Sequence, residues 1–229
     1  MLAQYFMDID ERGVILEVIV HMGTLTSILI YYRDDLLYLI KCAFNGMDEA
    51  RTYLFHLGVS TVPCVLVALL FDKFIESAFL PSVVIPMLLI TGLVLFSTYF
   101  SLNRPIREFT IFIAFCIGIA QACALMPGIS RSGFTISVAL FMGIRSQDAA
   151  KFAFFMAIPV LFGAGILQMN KIVNLQQISM FPLFMGFFSS AITGYLVIDW
   201  ILDVISKHKF YLFSIYCFTI AIIGYILID

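Results

Sequence analysis

Pro127-Gly128-Ile129-Ser130-Arg131-Ser132-Gly133-Phe134-Thr135 interrupts a chain that elsewhere keeps its charge at the ends of apolar runs. An apolar run from Phe109 to Met126 leads in, Pro127 and Gly128 break it, and Gly133 to Ile144 leads out with helical composition. Arginine cannot shed its proton and is costly in hydrocarbon, so Arg131 calls for an anion, a carbonyl cage or water. A helix starting at the break aims free N–H groups into it. Ser132 is a candidate N-cap, and Thr135 falls in the first turn beside Arg131. Hydroxyls, helix N–H groups and one guanidinium together form a cradle of donors suited to phosphate.

The alternative is a Pro-Gly turn between hairpin helices, with Ser-Arg-Ser solvating a surface loop. Length separates the two readings. Gly133 to Ile144 makes roughly 18 Å of helix against a hydrocarbon core of roughly 30 Å, so a chain that turns back here leaves Arg131 at membrane depth.

Composition sets the class. The 229 residues are 62% hydrophobic and 12% charged, with a mean hydropathy of +1.04, whereas a soluble domain carries about 25% charged residues. The chain reads as an all-α, polytopic integral membrane protein. A net charge of -2 and no basic run longer than Lys207-His208-Lys209 give no footing for nucleic acid. Cys42, Cys64, Cys116, Cys123 and Cys217 contain no CxxC pair, which leaves them as small apolar packing residues rather than a zinc site or disulfide framework. Met1 to Arg12 lacks the basic n-region of a cleavable signal.

Six full spans are expected, at 14–32, 53–71, 82–101, 149–169, 181–205 and 210–228, with a re-entrant pair at 109–144. With the pair entering and leaving on one face, Arg33, Lys41, Arg51, Arg104, Arg107, Arg145, Lys151, Lys207 and Lys209 share a side, and the positive-inside rule places them in the cytoplasm. Met1 to Gly13 reads as the tail of an amphipathic segment, 33–51 as a polar connection on the interface and 72–81 as a short loop. Glu17 and His21 lie i, i+4 on one face of the first span. Glu17 serves equally as a site-lining or a structural residue, and His21 fits a structural role better. His56 reads as interfacial, as do Asp199 and Trp200. Gln121, one to two turns before the break, can bond across a helix interface or to a substrate-bound water.

From Gly118-Ile119-Ala120-Gln121 through Thr135 the chain resembles the second signature of the undecaprenyl-diphosphate phosphatases, the bacitracin-resistance type of membrane phosphatase. Leu16-Glu17-Val18-Ile19-Val20-His21-Met22-Gly23 resembles that family's first full-spanning helix, and the likeness covers essentially the whole chain. PGxSRSxxT in an apolar setting is a specific signal. The resemblance implies hydrolysis of a polyprenyl diphosphate to its monophosphate, recycling the lipid carrier for peptidoglycan synthesis and conferring bacitracin resistance. A polyprenyl-phosphate flippase is the alternative, since transporters also use inverted repeats and broken helices.

On this likeness Arg131, Ser130 and Thr135 are the catalytic candidates, with Gly128, Ser132, Gly133, Gln121 and Glu17 as substrate-binding candidates. Ser130 and Thr135 are preferred as groups that orient phosphate oxygens, because nothing in the stretch places a base beside either hydroxyl. The resemblance also implies a divalent cation, Mg²⁺ or Ca²⁺. The family's acidic pair and Ser-Ser-Thr-Gly-His run have no matching positions here, so no metal ligand is assigned and an N-terminally truncated chain is expected.

Inverted repeats are expected as well, with an incomplete first repeat at 1–101 and a second at 102–229. Phe6-Met7-Asp8-Ile9 echoes Phe141-Met142-Gly143-Ile144. The expected partners are the membrane and a polyprenyl diphosphate lipid, with no nucleic acid. A homodimer is compatible with such a chain, and the expected location is the bacterial plasma membrane with an outward-opening site.

Overall fold

The computed structural model describes residues 12–101, 104–173 and 180–228, and every regular element among them is a helix. In chain order these are α1 (Arg12–Tyr31), α2 (Arg33–Phe44), α3 (Asp48–Leu70), α4 (Asp72–Ser77) and α5 (Pro81–Ser97). They are followed by α6 (Ile111–Cys123), α7 (Arg131–Phe141), α8 (Ser146–Val173), α9 (Met180–Ser206) and α10 (Phe213–Ile228). Short 3₁₀ turns occupy Thr98–Ser101 and Phe210–Leu212. The amphipathic tail and the Phe6 echo expected near Met1 lie outside the described residues.

Five segments are long and apolar enough to cross a bilayer: Asp48–Leu70, Pro81–Ser101, Ser146–Ile166, Phe181–Ser206 and Phe210–Leu227. Val18–Tyr31 and Ile111–Cys123 are shorter apolar helices. Large apolar side chains such as Leu70, Phe100, Leu196 and Ile226 are exposed along these elements, as suits a chain whose solvent is hydrocarbon. The molecule is a multi-pass helical membrane protein.

Two connections carry more structure than their composition suggested. The polar stretch after the first span contains α2, with Asp34 and Asp35 in its first turn and Lys41 in its last, the charge order that the helix dipole favours. Gly46 ends it at a φ of 86°, where the Met47 N–H reaches the Cys42 carbonyl. The loop expected at 72–81 contains α4.

The described residues group into two compact units. One comprises 55–153 and 202–228. Within it α5 packs on both α10 and α7, and α6 packs on α7. Gly92 lets α5 approach the Phe218 ring of α10, and Gly118 brings α6 onto the α3 backbone at Ser60, a spacing that a Cβ would prevent. The other comprises 12–54 and 154–201. There Gly23, Gly186 and Gly194 bring α1 and α9 together, and the Ser190 hydroxyl donates to the Val20 carbonyl. Small residues replace hydrophobic driving force in such contacts, because lipid is as apolar as leucine.

Asp199 was expected to anchor α9 at the interface; in this second unit it accepts a hydrogen bond from the Tyr31 hydroxyl. His56, which reads as interfacial, is buried among protein side chains, its ring stacked on Phe109 at a centroid distance of 6.1 Å.

Candidate anion site at the broken helix

α6 has 13 residues and α7 has 11. At 1.5 Å per residue these are roughly 20 and 16 Å, each short of a roughly 30 Å core. Between them the chain tightens through Leu125 N–H to Ala122 O, Met126 N–H to Cys123 O and Ile129 N–H to Met126 O. α7 begins at Arg131, two residues earlier than composition suggested, so the arginine is the first helical residue.

The cap differs from the expected one. Ser130, not Ser132, is the N-cap: its Oγ accepts from the Gly133 N–H at 3.1 Å, and its carbonyl accepts from the Phe134 N–H at 2.8 Å. Of the first four helix amides, those of Arg131 and Ser132 are therefore left without an acceptor on the helix itself. Gly133 makes the cap possible, since a Cβ there would lie 2.8 Å from Ser130 Oγ. Ser132 is exposed on the same turn.

Thr135 is buried, with its hydroxyl turned onto the carbonyls of Arg131 at 2.9 Å and Ser132 at 3.3 Å. That back-bonding occupies its proton within the helix. Gly128 takes a φ of 95°, which suits glycine alone, and a Cβ there would meet Met87 Cβ at 2.9 Å and the Val84 carbonyl closer still. Its bare α-carbon is what seats the loop on α5.

The Arg131 guanidinium is half-buried and has neither an ion pair nor a hydrogen bond among the described residues. Its electrostatic neighbour is Cys64 of α3. The Cys64 thiol also lies close enough to Gln121 to interact with it, although neither amide atom of Gln121 reaches hydrogen-bonding geometry with any described group. Gln121 is only 1% exposed. Leaving a buried amide unpaired costs about 1–3 kcal/mol, a cost retained where a ligand completes the bonding. Glu17 lies in α1, but its side chain is outside the described residues; His21 is exposed on the same helix.

Sequence reasoning missed Thr91 of α5. Its Oγ accepts from the Ser130 N–H at 3.1 Å and lies 3.1 Å from the Gly128 carbonyl and 3.0 Å from that of Met87. Nothing local to Thr91 signals this, because the tie joins residues almost forty positions apart.

Among the described residues no group of three His, Cys, Asp or Glu side chains converges, so none of them is assigned as a ligand of the divalent cation that the resemblance implied. The five cysteines are free thiols.

The fold is that of a multi-pass helical membrane protein, and a guanidinium, helix N-terminal amides and a serine hydroxyl stand together at its broken helix. The family model of bacitracin resistance protein BacA matches residues 1–223. This chain belongs to that family. Among similar proteins, the undecaprenyl-diphosphatase of Rubrobacter xylanophilus is 35% identical, with 96% of this chain and 86% of that protein covered. The undecaprenyl-diphosphatase of Carboxydothermus hydrogenoformans is 32% identical over 97% of this chain and 85% of its own length. That of Methanobrevibacter smithii is 30% identical over 93% and 83% respectively.

Proposed function

We propose that this chain is a membrane phosphatase that hydrolyses undecaprenyl diphosphate. Water attacks the terminal phosphorus, the bond from that phosphorus to the bridging oxygen breaks, and undecaprenyl monophosphate and inorganic phosphate leave. The observation that carries this reading is the Arg131 guanidinium, unpaired among the described residues at the first position of α7, in a chain of the bacitracin resistance family.

In this mechanism Arg131 holds the terminal phosphate and binds more strongly as charge builds on the bridging oxygen. The amides of Arg131 and Ser132 and the Ser132 hydroxyl hold the remaining oxygens. Ser130 caps α7 as an acceptor and keeps its hydroxyl proton for a phosphate oxygen, while Thr135 donates within the helix. Gln121 offers its amide to the head group or to a water held by it. The apolar exterior accommodates the polyprenyl tail.

The reading places the protein in the bacterial plasma membrane with the site opening outward, returning the carrier lipid to cell-wall synthesis and so opposing bacitracin. The test is release of inorganic phosphate from undecaprenyl diphosphate by the purified chain in detergent micelles. Micelles have no second compartment, so release there is hydrolysis and not flipping. An absence of release with or without added Mg²⁺ or Ca²⁺ contradicts the proposal, and a chelator added to an active sample shows whether a divalent cation takes part.

A further inference from the structure

The loop that presents Arg131 is built on a stripe of α5. Val84, Met87, Thr91 and Leu95 recur at i, i+3, i+7 and i+11, which places them on one face. Each lies against the loop or the first turn of α7. Val84 and Met87 bound the space where Gly128 lacks a side chain, and Leu95 Cδ2 lies 3.6 Å from where a Cβ on Gly133 would sit. Thr91 is the polar member of the stripe and is fully buried.

We infer that Thr91 is a positioning residue for phosphate binding, its hydroxyl fixing the Gly128–Ser130 loop on α5 and thereby aiming the N-terminus of α7 and Arg131 at the head group. The inference rests on the phosphatase reading above. The oxygen accepts from the Ser130 N–H, and its single proton goes to the Gly128 or the Met87 carbonyl, both within 3.1 Å. Ser130 is also the N-cap, so the residue whose amide Thr91 holds is the one whose side chain starts the helix. Without that bond the Ser130 amide, next to Arg131 in the chain, loses its acceptor. The loop is then free to relax away from α5.

Thr91→Val keeps the shape and removes the hydroxyl; Thr91→Ser keeps the hydroxyl. Two readouts separate positioning from general stability: hydrogen exchange of the peptide covering 127–134, and kcat and KM for phosphate release from undecaprenyl diphosphate in micelles. For Thr91→Val the expected results are faster exchange and a kcat lower by about ten- to a hundredfold, the scale of an ångström-sized misplacement, with KM within about threefold of wild type. Thr91→Ser is expected to restore both. If Thr91→Val cannot be recovered folded, Thr91→Ala is measured in its place.

Unchanged exchange overturns the inference, as does faster exchange with unaltered kcat, or a Thr91→Ser protein as impaired as Thr91→Val. Should wild type release no phosphate, the functional reading fails separately, and exchange alone then decides whether Thr91 holds the loop.

Discussion

Replacing Gly128 by alanine tests whether the seat of the loop on α5 sets the site. Two effects add. A φ of 95° is adopted by glycine without cost, but in a residue with a Cβ such backbone strain costs about 1–3 kcal/mol. The new Cβ would also lie 2.9 Å from Met87 Cβ and nearer still to the Val84 carbonyl, a backbone atom that cannot rotate away. Relieving the overlap needs a displacement of about 1 Å, and overpacking of this kind costs about 1–3 kcal/mol more. Gly128→Ala should therefore lose about 2–6 kcal/mol of stability. A loop displaced by about 1 Å should lower kcat/KM by about a hundredfold.

Unfolding in detergent and phosphate release from undecaprenyl diphosphate measure the two losses. Gly58→Ala is the control, since a Cβ there meets nothing within 4 Å and the residue lies inside α3; alanine should be neutral or add about 0.5–1 kcal/mol. If Gly128→Ala matches Gly58→Ala in both assays, the seat of the loop does not control the site.

Four further substitutions probe neighbouring claims. Arg131→Ala should leave the unfolding midpoint unchanged or raised, because the charge has no partner among the described residues; a loss above about 1 kcal/mol would show that it is paired. Ser130→Ala should lose about 1 kcal/mol with the cap, while Ser132→Ala, at an exposed position, should stay within about 0.5 kcal/mol, and the reverse order would move the cap to Ser132. Gly23→Val adds atoms where the Ser190 hydroxyl and the Phe187 carbonyl already lie, so it should lose about 1–3 kcal/mol or more; recovery of normally stable protein would show that α1 and α9 do not need the close approach.

The helical membrane class was legible because apolar runs of span length admit few other folds, and the break at Pro127-Gly128 because both residues terminate helices for local reasons. The cap was harder. Ser130 and Ser132 both offer a hydroxyl, and choosing between them depends on which amide lies three residues on with room for the oxygen; the missing Cβ of Gly133 decides it. Thr135 looked available to substrate because sequence gives its place in the turn but not its rotamer, which points back to the Arg131 carbonyl.

Thr91 was illegible for a deeper reason. A threonine inside an apolar helix is ordinary, and its bond to Ser130 exists only once α5 and α7 are packed. His56 shows the same limit: a histidine near a helix start suggests the interface, and only the tertiary position of Phe109 buries it. The mixed charge of the 33–51 connection reads as polarity, although Asp34 and Asp35 early and Lys41 late also describe the helix that is there.

The most direct measurement is equilibrium binding of a non-hydrolysable undecaprenyl methylenediphosphonate to wild type and Arg131→Ala in the same detergent. Loss of a charge partner of this kind is worth about 2–5 kcal/mol, so affinity should fall at least about thirtyfold in the variant. Equal affinities would mean that the head group is held elsewhere and that the guanidinium at the broken helix is not its receptor.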